Sequence, residues 1–430
     1  MRRRIVPFLI SLFAVTIISG CYKDGDLPPV PFGGDSAENT TEDGSIEGEG
    51  EEAKPLVRYE GPNGLILVAG WAGSAHIMFD MDYFWQLDAP LEDAGFDTQA
   101  VPVSCFQVHS RRAREVAAFL YLKVRRVMRE MVEDGRALSL DEIDPSSIKF
   151  NMICHSQGGI NARYMIKALS IPDPRRDIPD LDEDALDPAF LEDLKVLAPY
   201  IGDIVEVDGP DYPNPAPEIP AMAASEFVGS IAMLATPNNG TYIAEWITAT
   251  APDLIRAFAP GIADYLWAGM VNGQRDSHFT ETTSRMTRGY MESIFNPALA
   301  ARGRKTPDIT VYVYAAEFKE ERFLWWTVPS FIPSFNFAVT GSLWHVIYPV
   351  DGSNDGIVPT ESALWLPDDR DGDAPWVNMG VIPSEFGIDH WMIINHFADL
   401  THTDFNYDAT PGFDSPAFFI EVARMLREGE

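Results

Sequence analysis

Short continuous apolar runs alternate along the chain with stretches whose apolar residues fall three and four apart. Leu65-Ile66-Leu67-Val68-Ala69 is a run of the first kind, closed by Gly70 and Gly73. It predicts a buried parallel strand. Thr98 to Ser104 predicts a second strand. From Ala113 to Val132 the spacing changes: Val116, Phe119, Leu120, Val124, Val127 and Met131 mark one face of a helix. Ile148 to Cys154 predicts a third strand and Asn161 to Leu169 the helix after it. Val228 to Leu234, Ile309 to Tyr314 and Trp376 to Val381 predict three more strands, and Phe418 to Leu426 a closing helix. Such alternation predicts an α/β fold built on a doubly wound, mostly parallel sheet.

Three stretches depart from the pattern. Residues from about 172 to 224 are rich in Pro and Asp and predict a surface insertion. Between about 241 and 270, Ile243, Trp246, Ile247, Leu254, Ile255, Phe258, Leu266, Trp267 and Met270 give amphipathic helical character, broken by Pro252 and Pro260. This segment predicts either core helices or a helical lid over an apolar cleft. Phe323 to Phe337 carries Trp325-Trp326 and two Pro-Ser pairs. It predicts a packed surface loop, or one that lines or rims an apolar pocket.

The N-terminus sets the compartment. Arg2, Arg3 and Arg4 precede a mostly apolar run from Ile5 to Ile18. That length suits a signal peptide better than a membrane span. The run ends Ile18-Ser19-Gly20-Cys21, which resembles a bacterial lipobox whose cysteine is lipidated. From residue 21 to 55, ten acidic residues stand against Lys23 and Lys54 with no apolar period, predicting a disordered tether. The expected organisation is a lipoprotein signal peptide over 1–20, the tether over 21–55, and one catalytic domain over 56–430. The expected location is the bacterial cell envelope, anchored to membrane through Cys21.

The formal net charge is −33 over 430 residues. That excludes nucleic acid as an expected partner, because phosphate binding needs a basic face. An apolar fraction of 46% is ample for a core. Three cysteines give neither a disulfide framework nor a zinc cluster. With Cys21 assigned to lipid, Cys105 and Cys154 are left, as a disulfide or as two buried thiols.

The candidate chemistry sits at Cys154-His155-Ser156-Gln157-Gly158, between a predicted strand and a predicted helix. There a serine occupies a sharp turn with its hydroxyl above the sheet, and small residues are needed two before and two after it. Gly158 meets that need, and Cys154 replaces the usual glycine. A serine needs a base and an orienting acid, in the order Ser, acid, His for this fold. Asp355, in Ser353-Asn354-Asp355-Gly356, is the expected acid, with Asp351 the alternative. His390, on the loop after the last strand, is the expected base. His396 and then His402 are its rivals. His345 precedes Asp355, against the order, and His155 is expected to pack or gate. The oxyanion donors are expected from the backbone N–H groups of Gln157 and Trp71, the latter in Gly70-Trp71-Ala72-Gly73.

Taken together these segments resemble bacterial true lipases of the α/β-hydrolase superfamily. The likeness runs from about Gly64 to Leu426, the acidic insertion excepted. It includes Asp82-Tyr83-Phe84-Trp85, Leu91-Glu92-Asp93-Ala94-Gly95, His155-Ser156-Gln157-Gly158-Gly159, Ala235-Thr236-Pro237-Asn238-Asn239-Gly240-Thr241, and the segment from Met286-Thr287 to Phe295-Asn296. Ala69 and Asn238 stand where the family commonly has histidine. The family often binds calcium through a carboxylate two residues after the catalytic histidine; Met392 stands there, and Asp399 is out of register. No metal and no cofactor are therefore expected. The resemblance implies a triacylglycerol lipase-like carboxylic ester hydrolase acting on long-chain acylglycerols, with a lipid or ester as substrate. The alternatives are a short-chain or polyester esterase, and a non-catalytic lipid-binding lipoprotein on the same fold.

Overall fold

The computed structural model describes residues 56–71, 73, 76–77, 81–101, 103, 107–168, 222–249, 279–302, 305–323, 326–329, 337–367, 375–385, 387–395 and 412–429. The expected signal peptide, Cys21 and the tether lie outside these residues. So do Cys105, His396, Asp399, His402, nearly all of the insertion, and the candidate lid beyond residue 249.

Among the described residues six strands form one sheet: β1 Gly64–Val68, β2 Thr98–Ala100, β3 Phe150–His155, β4 Val228–Leu234, β5 Thr310–Ala315 and β6 Trp376–Val381. Their spatial order is β6-β5-β4-β3-β1-β2, and every pair is parallel. The chain winds outward from β1 to β2, then returns past β1 and continues the other way from β3. The order therefore reverses between β1 and β3. In such sheets the crevice at the carboxyl ends of the strands at that reversal is where ligands bind.

The central strands are buried on both faces, as parallel sheets require. All six residues of β3 are buried, as are four of the five in β1. Helix α1 spans His109–Glu133 and α2 spans Gln157–Ala168; the two pack on each other. Ala113, Val116, Leu120, Val124 and Met131 of α1 turn into the core at helical spacing. The helix Ser415–Glu428, α3, packs against β3, β4 and the short helix Asp88–Asp93. Right-handed crossovers place that short helix opposite α1 and α2. The side chain of Asp414 caps α3 by accepting from Ala417 N at 2.9 Å.

Observed elements depart from the expected ones mainly at their ends. Helix α1 starts at His109, four residues before the first apolar position of the pattern. Strand β2 ends at Ala100 instead of running to Ser104. The expected aromatic loop is in part an antiparallel hairpin, Glu320–Phe323 with Trp326–Pro329, and Trp326 is 64% exposed. Residues 242–249 are helical, with Ile243 and Ala244 buried.

Candidate active site

Ser156 occupies the turn between β3 and α2 at φ 54°, a left-handed conformation costly for a side chain with a Cβ. Its amide donates to Leu234 O of the neighbouring strand at 2.9 Å, which holds the turn. Two glycines permit this geometry. A Cβ on Gly158 would lie 2.3 Å from Val68 O, and one on Gly70 would lie 2.6 Å from the Cβ of Ser156. The end of β1 and the start of α2 thus touch backbone to backbone. Cys154 is a free, fully buried thiol. Burial pushes its pKa up, so it stays protonated and unreactive.

Asp355 and His390 meet directly. His390 Nδ1 donates to Asp355 Oδ2 at 2.7 Å, with both side chains almost wholly buried. The other carboxylate oxygen, Oδ1, accepts from the amides of Ile357 at 2.9 Å and Val358 at 2.7 Å. The amide of His390 donates to the carbonyl of Asp355 at 3.1 Å, so the two loops are pinned along both backbone and side chain. A carboxylate accepting at Nδ1 fixes the ring proton there and leaves Nε2 as the basic atom.

Ser156 connects to this pair through its predecessor. His155 Nε2 lies 3.0 Å from the carbonyl of His390, and His155 Nδ1 lies 2.8 Å from the hydroxyl of Tyr83. A carbonyl only accepts, so Nε2 carries the proton and Nδ1 accepts from Tyr83. The rings of His155 and His390 stand 4.5 Å apart. Both ring nitrogens of His155 are thus engaged, as a packing residue requires.

Of the rivals, Asp351 and His345 are among the described residues, and His396 and His402 are not. Asp351 Oδ1 accepts from Arg288 Nη1 at 2.6 Å. His345 packs on Trp344 within the helix Phe337–Asp351. Met392 is buried in the main core. Asn238 is also buried: its Oδ1 accepts from Arg163 Nη1 at 3.3 Å and its Nδ2 donates to Ala363 O at 3.0 Å. Asp389 is a buried carboxylate missing from the expected site. It accepts from the amides of Trp391 at 2.8 Å and Met392 at 3.0 Å. Burial raises its pKa to about 6, against those two hydrogen bonds.

The segments expected to supply the oxyanion donors have their own buried network. Gln157 begins α2, where the first N–H groups have no intrahelical partner. Its side-chain Nε2 donates to Gln107 O at 3.1 Å and lies 3.2 Å from His109 Nδ1. His109 Nε2 lies 3.1 Å from Arg285 O, and burial lowers the His109 pKa to about 4. The loop after β1 carries Trp71, and a turn closes it from Gly73 N to Gly70 O at 3.1 Å. Tyr83, Arg112, His109 and Asp389 are absent from the expected site. One sequence signal could have found Arg112: it lies on the apolar stripe of α1, four residues before Val116.

Solved structures of similar architecture are bacterial lipases and esterases. The Staphylococcus hyicus lipase aligns with a TM-score of 0.51 at 17% identity, over 87% of this chain and 98% of that one. EstA from Clostridium botulinum gives 0.49 at 13% identity, over 97% of both chains. The mature Bacillus licheniformis lipase BlEst2 gives 0.42 at 15%, over 87% of this chain and 96% of that one. The chain has the α/β-hydrolase fold. No protein-family model and no curated protein matches the sequence. The likeness is therefore one of fold, and the chemistry rests on the residues above.

Proposed function

We propose that this chain is a serine hydrolase of carboxylic esters. The observation that carries the reading is the 2.7 Å bond from His390 Nδ1 to the buried carboxylate of Asp355, together with a serine at φ 54° on the β3–α2 turn. In this reading His390 Nε2 takes the proton of the Ser156 hydroxyl, and Ser156 attacks the ester carbonyl. The negative charge that develops on the carbonyl oxygen is met by the amides of Gln157 and Trp71. His390 returns its proton to the departing alcohol, leaving an acyl-serine. Water, deprotonated by the same imidazole, releases the acid. Asp355 stays ionised and stabilises the imidazolium.

The preferred substrate is a long-chain acylglycerol. The apolar positions between 241 and 270 and the tryptophans near 325 support an acyl-binding surface. The Ile18-Ser19-Gly20-Cys21 sequence supports a lipid anchor at the bacterial envelope. Cys21→Ser is expected to release the protein from membranes.

The decisive experiment is labelling with a fluorophosphonate and hydrolysis of p-nitrophenyl esters of graded chain length. The wild type is expected to label and to turn over, and Ser156→Ala to do neither. Labelling that persists in Ser156→Ala, or a wild type that neither labels nor turns over, sinks the reading. A preference for short soluble esters with no gain at an oil–water interface sinks the long-chain assignment alone.

A further inference from the structure

We propose that Arg112 is the positioning residue that sets the oxyanion hole, by locking the Gly70–Trp71 peptide with its N–H turned away from the guanidinium. The proposal rests on the ester-hydrolase reading and assigns a role within it.

Arg112 is fully buried. Its Nη2 donates to three carbonyls of one loop: Ala69 O at 2.8 Å, Gly70 O at 2.9 Å and Gly73 O at 3.1 Å. Its Nη1 donates to Gln157 Oε1 at 3.2 Å. A single cation thus touches both segments expected to supply the hole. The planar peptide bond turns this contact into an orientation. In a trans peptide the C=O of one residue and the N–H of the next point in opposite directions. With Gly70 O drawn onto Arg112, the N–H of Trp71 faces the other way. That peptide lies beside the nucleophile, because a Cβ on Gly70 would sit 2.6 Å from the Cβ of Ser156. Flipped, the same peptide would present a carbonyl to the developing negative charge.

The placement of Arg112 runs against the helix that carries it. It sits in the first turn of α1, which contains no acidic residue there. A cation is unfavourable at that positive end. Burying a guanidinium costs more still unless its donors are met. The planar fork of arginine, unlike a lysine ammonium, spans several acceptors at fixed angles. The loop carbonyls and Gln157 Oε1 meet its two terminal nitrogens.

The test measures kcat, KM and the affinity of a boronic acid that forms a tetrahedral adduct on serine, for the wild type, Arg112→Met and Arg112→Lys. Arg112→Met is expected to lose about 10²-fold in kcat with KM changed less than threefold, the loss typical of one oxyanion donor. Boronate affinity is expected to fall in parallel, and Arg112→Lys to recover part of both. A packing role alone would lower thermal stability and leave the ratio of boronate affinity to KM unchanged. If Arg112→Met does not fold, Arg112→Lys carries the test through the same ratio. Wild-type values of kcat and boronate affinity in a folded Arg112 variant overturn the proposal while ester hydrolysis stands. A wild type that cleaves no ester overturns both.

Discussion

Arg112 holds the loop after β1 by its carbonyls, whereas Asp355 and Asp389 hold the loops of the opposite wall by their amides. On the first wall a buried cation gathers the carbonyls of residues 69, 70 and 73. On the second, each buried carboxylate gathers two N–H groups from the turn just after it, 357 and 358 or 391 and 392. Both walls are irregular backbone, and buried backbone groups must be paired. The sign of the charge decides which end of the peptide it pairs, and hence which end is left to face the serine. In the proposed reading the first wall turns the amide of Trp71 away from the cation, and the second presents an imidazole nitrogen. His155 and Tyr83 join the two walls beneath Ser156.

The comparison can be broken most severely at the acid. Asp355→Asn keeps an oxygen for the amides of 357 and 358. It also offers His390 an amide where it had a carboxylate, so the imidazole proton is no longer fixed on Nδ1. A fall in kcat of about 10⁴-fold is expected, with thermal stability moved far less. Steady-state kinetics beside a melting curve measure both. A kcat within tenfold of the wild type would place the acid elsewhere.

The strut between the walls comes next. Tyr83→Phe removes the hydroxyl that donates to His155 Nδ1 and leaves a buried acceptor unmet, at a cost of about 1–3 kcal/mol. Because His155 bears on the carbonyl of His390, kcat is expected to fall by about tenfold. Calorimetry and kinetics on the one variant should show the two losses together. A stability loss with unchanged kcat would reduce the strut to packing.

The smallest effects sharpen the contrast through pH. His109, behind the first wall, has its pKa lowered from 6.5 to about 4. The unfolded chain then binds more protons than the folded one below pH 6.5. Stability from this group is complete above pH 6.5 and is lost as the pH falls toward about 4. Asp389 is the reverse, raised from 3.8 to about 6. Its folded state holds the proton more tightly, so stability from this group falls as the pH rises from about 4 to about 6. The two windows overlap with opposite slopes. His109→Gln is expected to flatten the acid-side loss in a plot of melting temperature against pH, and Asp389→Asn to steepen it. Parallel curves for the two variants would refute the assignment.

Much of this was legible in the sequence. The central strand β1 carries a continuous apolar run, and the core spacing of α1 marks its buried face. Ser156, Asp355 and His390 stood out because each sits at a strand end or a Gly-containing turn in the order the fold demands. What stayed hidden were polar residues whose partners are distant in the chain. Arg112 lies just outside the apolar stretch that marked α1, and its role depends on a loop some forty residues earlier. Tyr83 appears only as one aromatic among several until His155 is seen against it. Asp389 sits beside the expected base, yet nothing local announces that it is buried. The start of α1 lies outside the apolar pattern because its first turn, from His109 to Arg112, is polar.

The order of the strands also sets a timetable. Ser156 and both oxyanion segments belong to the first two-fifths of the chain, while Asp355 and His390 come from its last fifth. The β5–β6 edge and α3, which support the acid and base loops, are also late. On the proposed function, a chain still leaving the ribosome carries its nucleophile without a base. Hydrolytic competence would then arrive only after His390 has been made.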